Sequence, residues 1–304
     1  MAKETRSKKP PALTSSTAVA AVLESAGYLA DEGLATAVQL AAALQKPLLL
    51  EGEPGVGKTE IARALAAALG RDLIRLQCYE GIDAAQALYE WNYAKQLLAV
   101  RAQSEAAGVD DVFNERFLVE RPLLKALRAG AGAVLLVDEI DRADAEFEAF
   151  LLEFLGDFQI TVPELGVFRA EQPPIVVLTS NRTRDVHDAL KRRCLYHWVE
   201  HPTFEREVQI VRMRVPHVTE LLTRQVAAAV EKLRTLHLYK PPGVAETIDW
   251  AMALGRLGLT HLTEASVRAT LGAVLKYRED VERVQQHGVT ELVKQSFERS
   301  MLPA

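Results

Sequence analysis

The stretch Leu48–Leu69 constrains this chain most. An apolar run, LLLE, ends in Gly52-Glu53-Pro54-Gly55-Val56-Gly57-Lys58-Thr59, and EIARALAAAL comes next at helical spacing. The loop fits G-x-x-x-x-G-K-[ST] between a predicted strand and a predicted helix. Glycines let the backbone curl so that its N–H groups face phosphate oxygens, and the helix after the loop adds its positive dipole end. Lys58 would set a point charge at the β- and γ-phosphates, Thr59 would offer its hydroxyl to Mg²⁺, and Glu60 completes the helix start. The reading implies a nucleoside triphosphate, ATP, with Mg²⁺ as cofactor.

The surrounding pattern alternates. Apolar runs at Pro47–Gly52, Leu73–Cys78, Ala133–Asp138, Pro174–Ser180 and Leu195–Glu200 read as buried parallel strands, and helical patterns separate them. This predicts an α/β fold with a five-stranded parallel sheet. After Pro202 only helical patterns remain. The expected organisation is a basic disordered tail over 1–20, with Lys3, Arg6, Lys8 and Lys9 against Glu4, then an α/β nucleotide-binding domain over 21–202 and an all-α lid over 203–304. Two insertions interrupt the α/β pattern: one near 79–121, and a hairpin over 159–172 turning at Pro163–Gly166. The 304 residues carry a formal charge of -5, which argues against a nucleic-acid partner, and no apolar run spans a bilayer. The two cysteines, Cys78 and Cys194, are far apart and without metal-ligand spacing. A cytoplasmic location is expected.

Four further elements suit the same chemistry. The strand Ala133–Asp138 ends in Asp138-Glu139: Asp138 would hold the Mg²⁺ shell and Glu139 would orient or deprotonate water. Asn181, closing the fourth strand, would either reach the γ-phosphate and water or cap the next helix. The basic run Lys191-Arg192-Arg193 suits a finger into a neighbour's site, or a plain surface. Arg268, in EASVRATL, would be a lid arginine reaching back to the γ-phosphate, or an exposed helix charge.

In this order these elements resemble an AAA+ ATPase over about Ala21–Val284. The glycine loop and the Asp-Glu strand end are similar to Walker A and Walker B, Asn181 to sensor 1, Arg193 to the arginine finger with Arg192 as alternate, and Arg268 to sensor 2. DEIDRAD and ASVRATL resemble stretches of the MoxR group, although Asp141 and Val267 replace the usual Asn and Pro, and ALKRRC departs from the commoner AQLDRF. LIRLQCYEGIDAAQALYEWNYAKQLL with DALKRRCLYHWVEHP resembles the CoxD-like branch. That resemblance implies an AAA+ core with a helical lid, a hexameric ring and an adaptor with a von Willebrand A-type domain. It further implies a metalloenzyme client, a molybdenum–copper carbon monoxide dehydrogenase or related molybdenum hydroxylase, faced by the two insertions. A rubisco-activase-like remodeller of the CbbQ type and a nucleic-acid-dependent motor stay open as alternatives.

The remaining candidates divide between packing and contact. Cys78 and Cys194 suit small core positions. Trp91 and Tyr93 either pack the first insertion or meet a client, Val162, Leu165, Val167 and Phe168 of the hairpin divide the same way, and His197 and His201 suit structural roles.

Overall fold

The computed structural model describes residues 13–102 and 113–302. Lys3, Glu4, Arg6, Lys8 and Lys9 of the expected tail lie outside the described residues, as does 103–112 of the first insertion. The tail does not run to Ala20. A helix, α1 (Ser16–Ser25), begins earlier because Ser15 caps it, its hydroxyl accepting the Ala18 N–H at 3.1 Å, and Val19, Val22 and Leu23 are buried.

The contacts divide the chain into two units. The first comprises the described residues up to Ala26, Ala30–Glu51 and Lys58–Trp198; the second comprises Gly27–Leu29, Gly52–Gly57 and Val199–Ala304. The helical unit therefore starts at Val199 and also takes in the glycine loop, which the sequence pattern places wholly in the α/β domain.

In the first unit α1 is followed by α2 (Glu32–Leu44), β1 (Leu48–Glu51), α3 (Lys58–Leu69) and β2 (Asp72–Gln77). The first insertion supplies α4 (Ala84–Ala87), β3 (Tyr89–Trp91), α5 (Tyr93–Ala102) and β4 (Leu118–Glu120). Then come α6 (Pro122–Ala129), β5 (Ala133–Asp138), α7 (Ala145–Asp157), β6 (Gln159–Val162), β7 (Gly166–Arg169), β8 (Ile175–Ser180), α8 (Asp188–Arg193) and β9 (Leu195–Trp198).

The main sheet is five-stranded in the order β2-β5-β8-β1-β9, and every pairing is parallel. The central strands are apolar because both faces are covered: all of β5 and β1 is buried. The register sets Gln77 opposite Asp138, and Glu51 opposite both Ser180 and Trp198, so polar residues gather at the carboxyl edge of the sheet. β6 and β7 form the expected hairpin, and β3 pairs with β4 in a second antiparallel ribbon. Trp91 is buried there, edge-on to Phe113 at 5.4 Å, while Tyr93 on α5 is exposed. Of the hairpin residues, Val162 is buried, Leu165 and Phe168 pack partly against the core, and Val167 is exposed.

The second unit adds α9 (Phe204–Arg214), α10 (Glu220–Arg234), α11 (Val244–Arg256), α12 (Glu264–Val274), α13 (Arg278–His287) and α14 (Val289–Met301). Its core gathers Val226, Val230, Trp250, Leu254, Val267 and Leu292. One buried polar group supports it: Glu207 on α9 takes both terminal nitrogens of Arg234, at 2.7 and 2.8 Å, and the Thr247 hydroxyl at 2.6 Å. Burial of this charge is tolerated because each carboxylate oxygen has a donor.

Candidate active site

In the first unit the candidate site lies at the carboxyl ends of β5 and β8 and the start of α3. Asp138 closes β5 and is buried. Its Oδ1 accepts the Thr59 hydroxyl at 2.9 Å and the Thr179 hydroxyl at 2.6 Å. Its Oδ2 accepts Nε and Nη2 of Arg75, at 3.0 and 2.5 Å. Lys58, the first residue of α3, is also buried. Thr59 and Asp138 thus present hard oxygen donors within one hydrogen bond of each other, the ligand type Mg²⁺ takes while it keeps part of its water shell. The donor set fits that cation.

Glu139 comes directly after Asp138 with a left-handed backbone, φ 56°. A non-glycine residue held there stores roughly 1–3 kcal/mol that its surroundings must offset. Its N–H donates to Thr179 Oγ1 at 2.9 Å. Its side chain accepts from Gln77 Nε2 at 3.2 Å and pairs with Arg142 at 3.0 Å. Thr179 therefore bridges the metal-type acid and the candidate base, accepting from one backbone and donating to the other's carboxylate.

Asn181 is half-buried after β8, and its backbone N–H donates to Asp141 Oδ1 at 3.2 Å. No helix begins at Asn181; the next one, α8, starts at Asp188, so Asn181 is not its cap. Asp141, buried, also accepts the Thr183 N–H at 2.9 Å and the Thr183 hydroxyl at 2.6 Å. The aspartate thus fixes the turn that carries Asn181.

Arg192 and Arg193 end α8 and are both exposed. The Arg193 guanidinium rests on Gly156 near the end of α7: a Cβ at that glycine would come within 2.8 Å of Nη1. Another buried acid, Glu51, ends β1. It accepts the Tyr196 hydroxyl at 3.2 Å, and burial first, then this carboxylate, pushes the phenol's pKa up. Burial first and neighbouring carboxylates second push the Cys78 thiol up to about 12, and burial alone pushes Cys194 to about 12. Both are therefore protonated thiols at neutral pH. Among the described residues no cluster of His, Cys, Asp and Glu could hold a metal by itself.

In the second unit the loop Gly52–Gly57 turns through left-handed φ at Gly55 (82°) and Gly57 (98°), where a side chain would be strained. The Gly55 carbonyl accepts the N–H groups of Val244 at 2.9 Å and Ala245 at 3.4 Å, at the start of α11. Gly243 closes onto it, and a Cβ there would stand 2.7 Å from Gly55 Cα. Glu246 completes this contact by accepting the Gly243 N–H at 3.0 Å. Of the loop's other residues Glu53 is exposed, Pro54 is partly exposed and Val56 is buried; Glu60 in the first unit is partly exposed. Arg268 is exposed on α12, whereas Val267 beside it is buried.

Sequence reasoning misses Arg75, Gln77, Thr179 and Gly243. Arg75 and Gln77 share a face of β2 by their two-residue spacing, but only the register against β5 puts them beside Asp138. Thr179 stands two residues before Asn181, in the same polar strand end. Gly243 comes after two prolines at a helix start, a signal of a cap rather than of a contact.

Comparison with known proteins fits this geometry. Residues 47–194 match the family model of the AAA domain, dynein-related subfamily. An uncharacterized protein of Staphylococcus haemolyticus is 26% identical over 201 residues, 64% of this chain and 70% of that protein. Lon protease of Halothermothrix orenii is 34% identical over 130 residues, 40% of this chain but 14% of that protein. Among solved structures, the Thermotoga maritima RuvB Holliday junction branch migration motor is 17% identical over 78% of this chain and 65% of that one, with a TM-score of 0.44. The chain spans under two thirds of the RuvB chain and a small part of the Lon protease. Residues 47–194 of the α/β unit are thus similar to an AAA domain of the dynein-related subfamily, a match that supports an ATP-hydrolysing enzyme.

Proposed function

We propose that this chain is an AAA+ ATPase and a remodelling chaperone of the MoxR type, CoxD-like, that assists maturation of a molybdenum–copper carbon monoxide dehydrogenase or related molybdenum hydroxylase. One observation carries the catalytic part. Glu139 stands directly after the buried Asp138, with its backbone pinned by Thr179 and its carboxylate held by Gln77 and Arg142. An acid so placed can take the proton of an attacking water, a role worth about 10²–10⁴ in rate. Lys58 and the loop N–H groups hold the phosphates, Thr59 and Asp138 hold Mg²⁺, and Asn181 orients the water. Bound Mg²⁺ supplies charge neutralisation at the phosphates. Arg193, with Arg192 as alternate, completes a neighbour's site in a hexameric ring, and Arg268 senses the γ-phosphate from the lid.

The chaperone part rests on the CoxD-like stretches and on the insertion. Helix α5 exposes Tyr93, Leu97, Leu98 and Val100 together, a surface suited to gripping a protein. A von Willebrand A-domain adaptor would bring the client to it.

The test is a substrate trap. Glu139→Gln should bind ATP and hold it, with turnover reduced at least about 100-fold. Tagged and isolated from its own cells with ATP present, it should bring down an adaptor and a molybdenum hydroxylase, identified by mass spectrometry. Recovery of rubisco or of DNA-processing proteins instead would overturn the maturation role and leave the ATPase standing.

A further inference from the structure

Asp138 raises a question of charge. It is 2% exposed, and a buried carboxylate is costly unless its oxygens are satisfied and its charge is countered. Two hydroxyls satisfy Oδ1 but bring no charge. Arg75 brings a positive charge, and its Nε and Nη2 both donate to Oδ2. The same guanidinium donates to Gln77 Oε1, and Gln77 passes a hydrogen bond on to Glu139. Arg75 is thus joined at one end to the acid fitted for the cation and at the other, through an amide, to the candidate base.

Arg75 is also in a position to let go. It extends from β2, which lies at one end of the sheet order, and its side chain is 43% exposed. Water can take over its donors at little cost, whereas Asp138 has no such alternative. A guanidinium and a divalent cation cannot both draw fully on one carboxylate, because like charges at that spacing repel.

We propose that Arg75 is a positioning residue that competes with the divalent cation for Asp138 and, through Gln77, makes the setting of Glu139 depend on whether the cation is there. This rests on the ATP reading of the site. In the cation-free chain Arg75 holds Asp138 and orients Gln77 toward Glu139. When the carboxylate is shared with a cation, the Arg75–Gln77 link loosens and Glu139 is freed of one restraint.

The test uses Mn²⁺ as a probe, read by electron paramagnetic resonance on the full chain with saturating ADP, together with ADP affinity in EDTA. Arg75→Gln should bind Mn²⁺ about tenfold more tightly than the unmodified chain, equivalent to ~1.4 kcal/mol. Its ADP affinity in EDTA should stay within about twofold, because Arg75 touches no group assigned to the nucleotide itself. Arg75→Lys keeps the charge and should bind Mn²⁺ within about threefold of the unmodified chain, which separates charge from packing. Equal or weaker Mn²⁺ binding by Arg75→Gln would overturn the proposal, as would equal tightening by Arg75→Lys. If the unmodified chain binds neither ADP nor Mn²⁺ with ADP, it is the ATP reading of the site that fails, and the proposal falls with it.

Discussion

Replacing Gly243 by alanine tests whether the glycine loop is held in shape from α11. The backbone at Gly243 has φ -85°, so alanine meets no conformational penalty there, and any cost is steric. The added Cβ would stand 2.7 Å from Gly55 Cα and 2.8 Å from the Gly55 carbonyl carbon and oxygen. These are backbone atoms, which cannot swing aside as a side-chain tip could. Reaching ordinary contact requires a displacement of about 0.7 Å, and forcing an extra methyl into such a contact typically costs about 1–3 kcal/mol. The Gly55 carbonyl is already anchored on Val244 and Ala245, so relief must come from moving the loop itself. If that loop holds ATP, Gly243→Ala should weaken nucleotide binding about 5–150-fold, as titration calorimetry would measure. Gly272→Ala in α12 is the control: nothing lies within 4 Å of its added Cβ, and removing a helical glycine should stabilise by up to about 1 kcal/mol without touching affinity. Nucleotide affinity within twofold of the unmodified chain for Gly243→Ala, at equal stability, would refute the reasoning.

The same geometry sets further outcomes. Thr179→Val removes a donor to Asp138 and an acceptor for the Glu139 N–H, and should lower the urea stability by about 2–4 kcal/mol; a loss below 1 kcal/mol would mean that water replaces it freely. Cys78, which is buried and whose thiol is pushed up to about 12, should react with a disulfide reagent at pH 8 only on unfolding, whereas its fast reaction in the native chain would contradict that burial. Above the ordinary thiol pKa the unfolded chain ionises first, so the thiols' contribution to stability is present below about pH 9 and is lost as pH rises toward about 12. Arg193→Ala should abolish cooperative ATP turnover in assembled rings while leaving single-chain ATP affinity intact; unchanged turnover would remove Arg193 from its assigned role.

What was legible in the sequence was local. The central strands β1, β5 and β8 could be read because burial on both faces writes them as nearly unbroken apolar runs, and the loop because its glycines, lysine and threonine stand in sequence. The strand order was not legible: β1 lies between β8 and β9 through crossovers that leave no trace in the residues themselves. The β3–β4 ribbon was hidden because each strand has three residues, too few for a periodic signal. Arg75, Gln77 and Thr179 escaped for a different reason. Each is an ordinary strand residue until lateral pairing sets it beside Asp138 or Glu139. Gly243 and the loop it supports are far apart in sequence, and only close approach makes that glycine necessary.

Gly156 carries a consequence for how this enzyme can vary. A glycine inside α7 costs that helix up to about 1 kcal/mol relative to alanine, a loss selection could remove by a single base change. What the missing side chain provides is a berth: the Arg193 guanidinium lies there, against the carbonyl end of a helix whose dipole favours a cation. Among the described residues no acid pairs with Arg193, and the berth holds it by shape and a partial charge. If Arg193 is the proposed finger into another subunit's site, a resting place of this kind would keep it oriented and still release it. Residue 156 would then tune a reaction it never touches. Larger residues there would evict the arginine early, and an acid nearby would detain it.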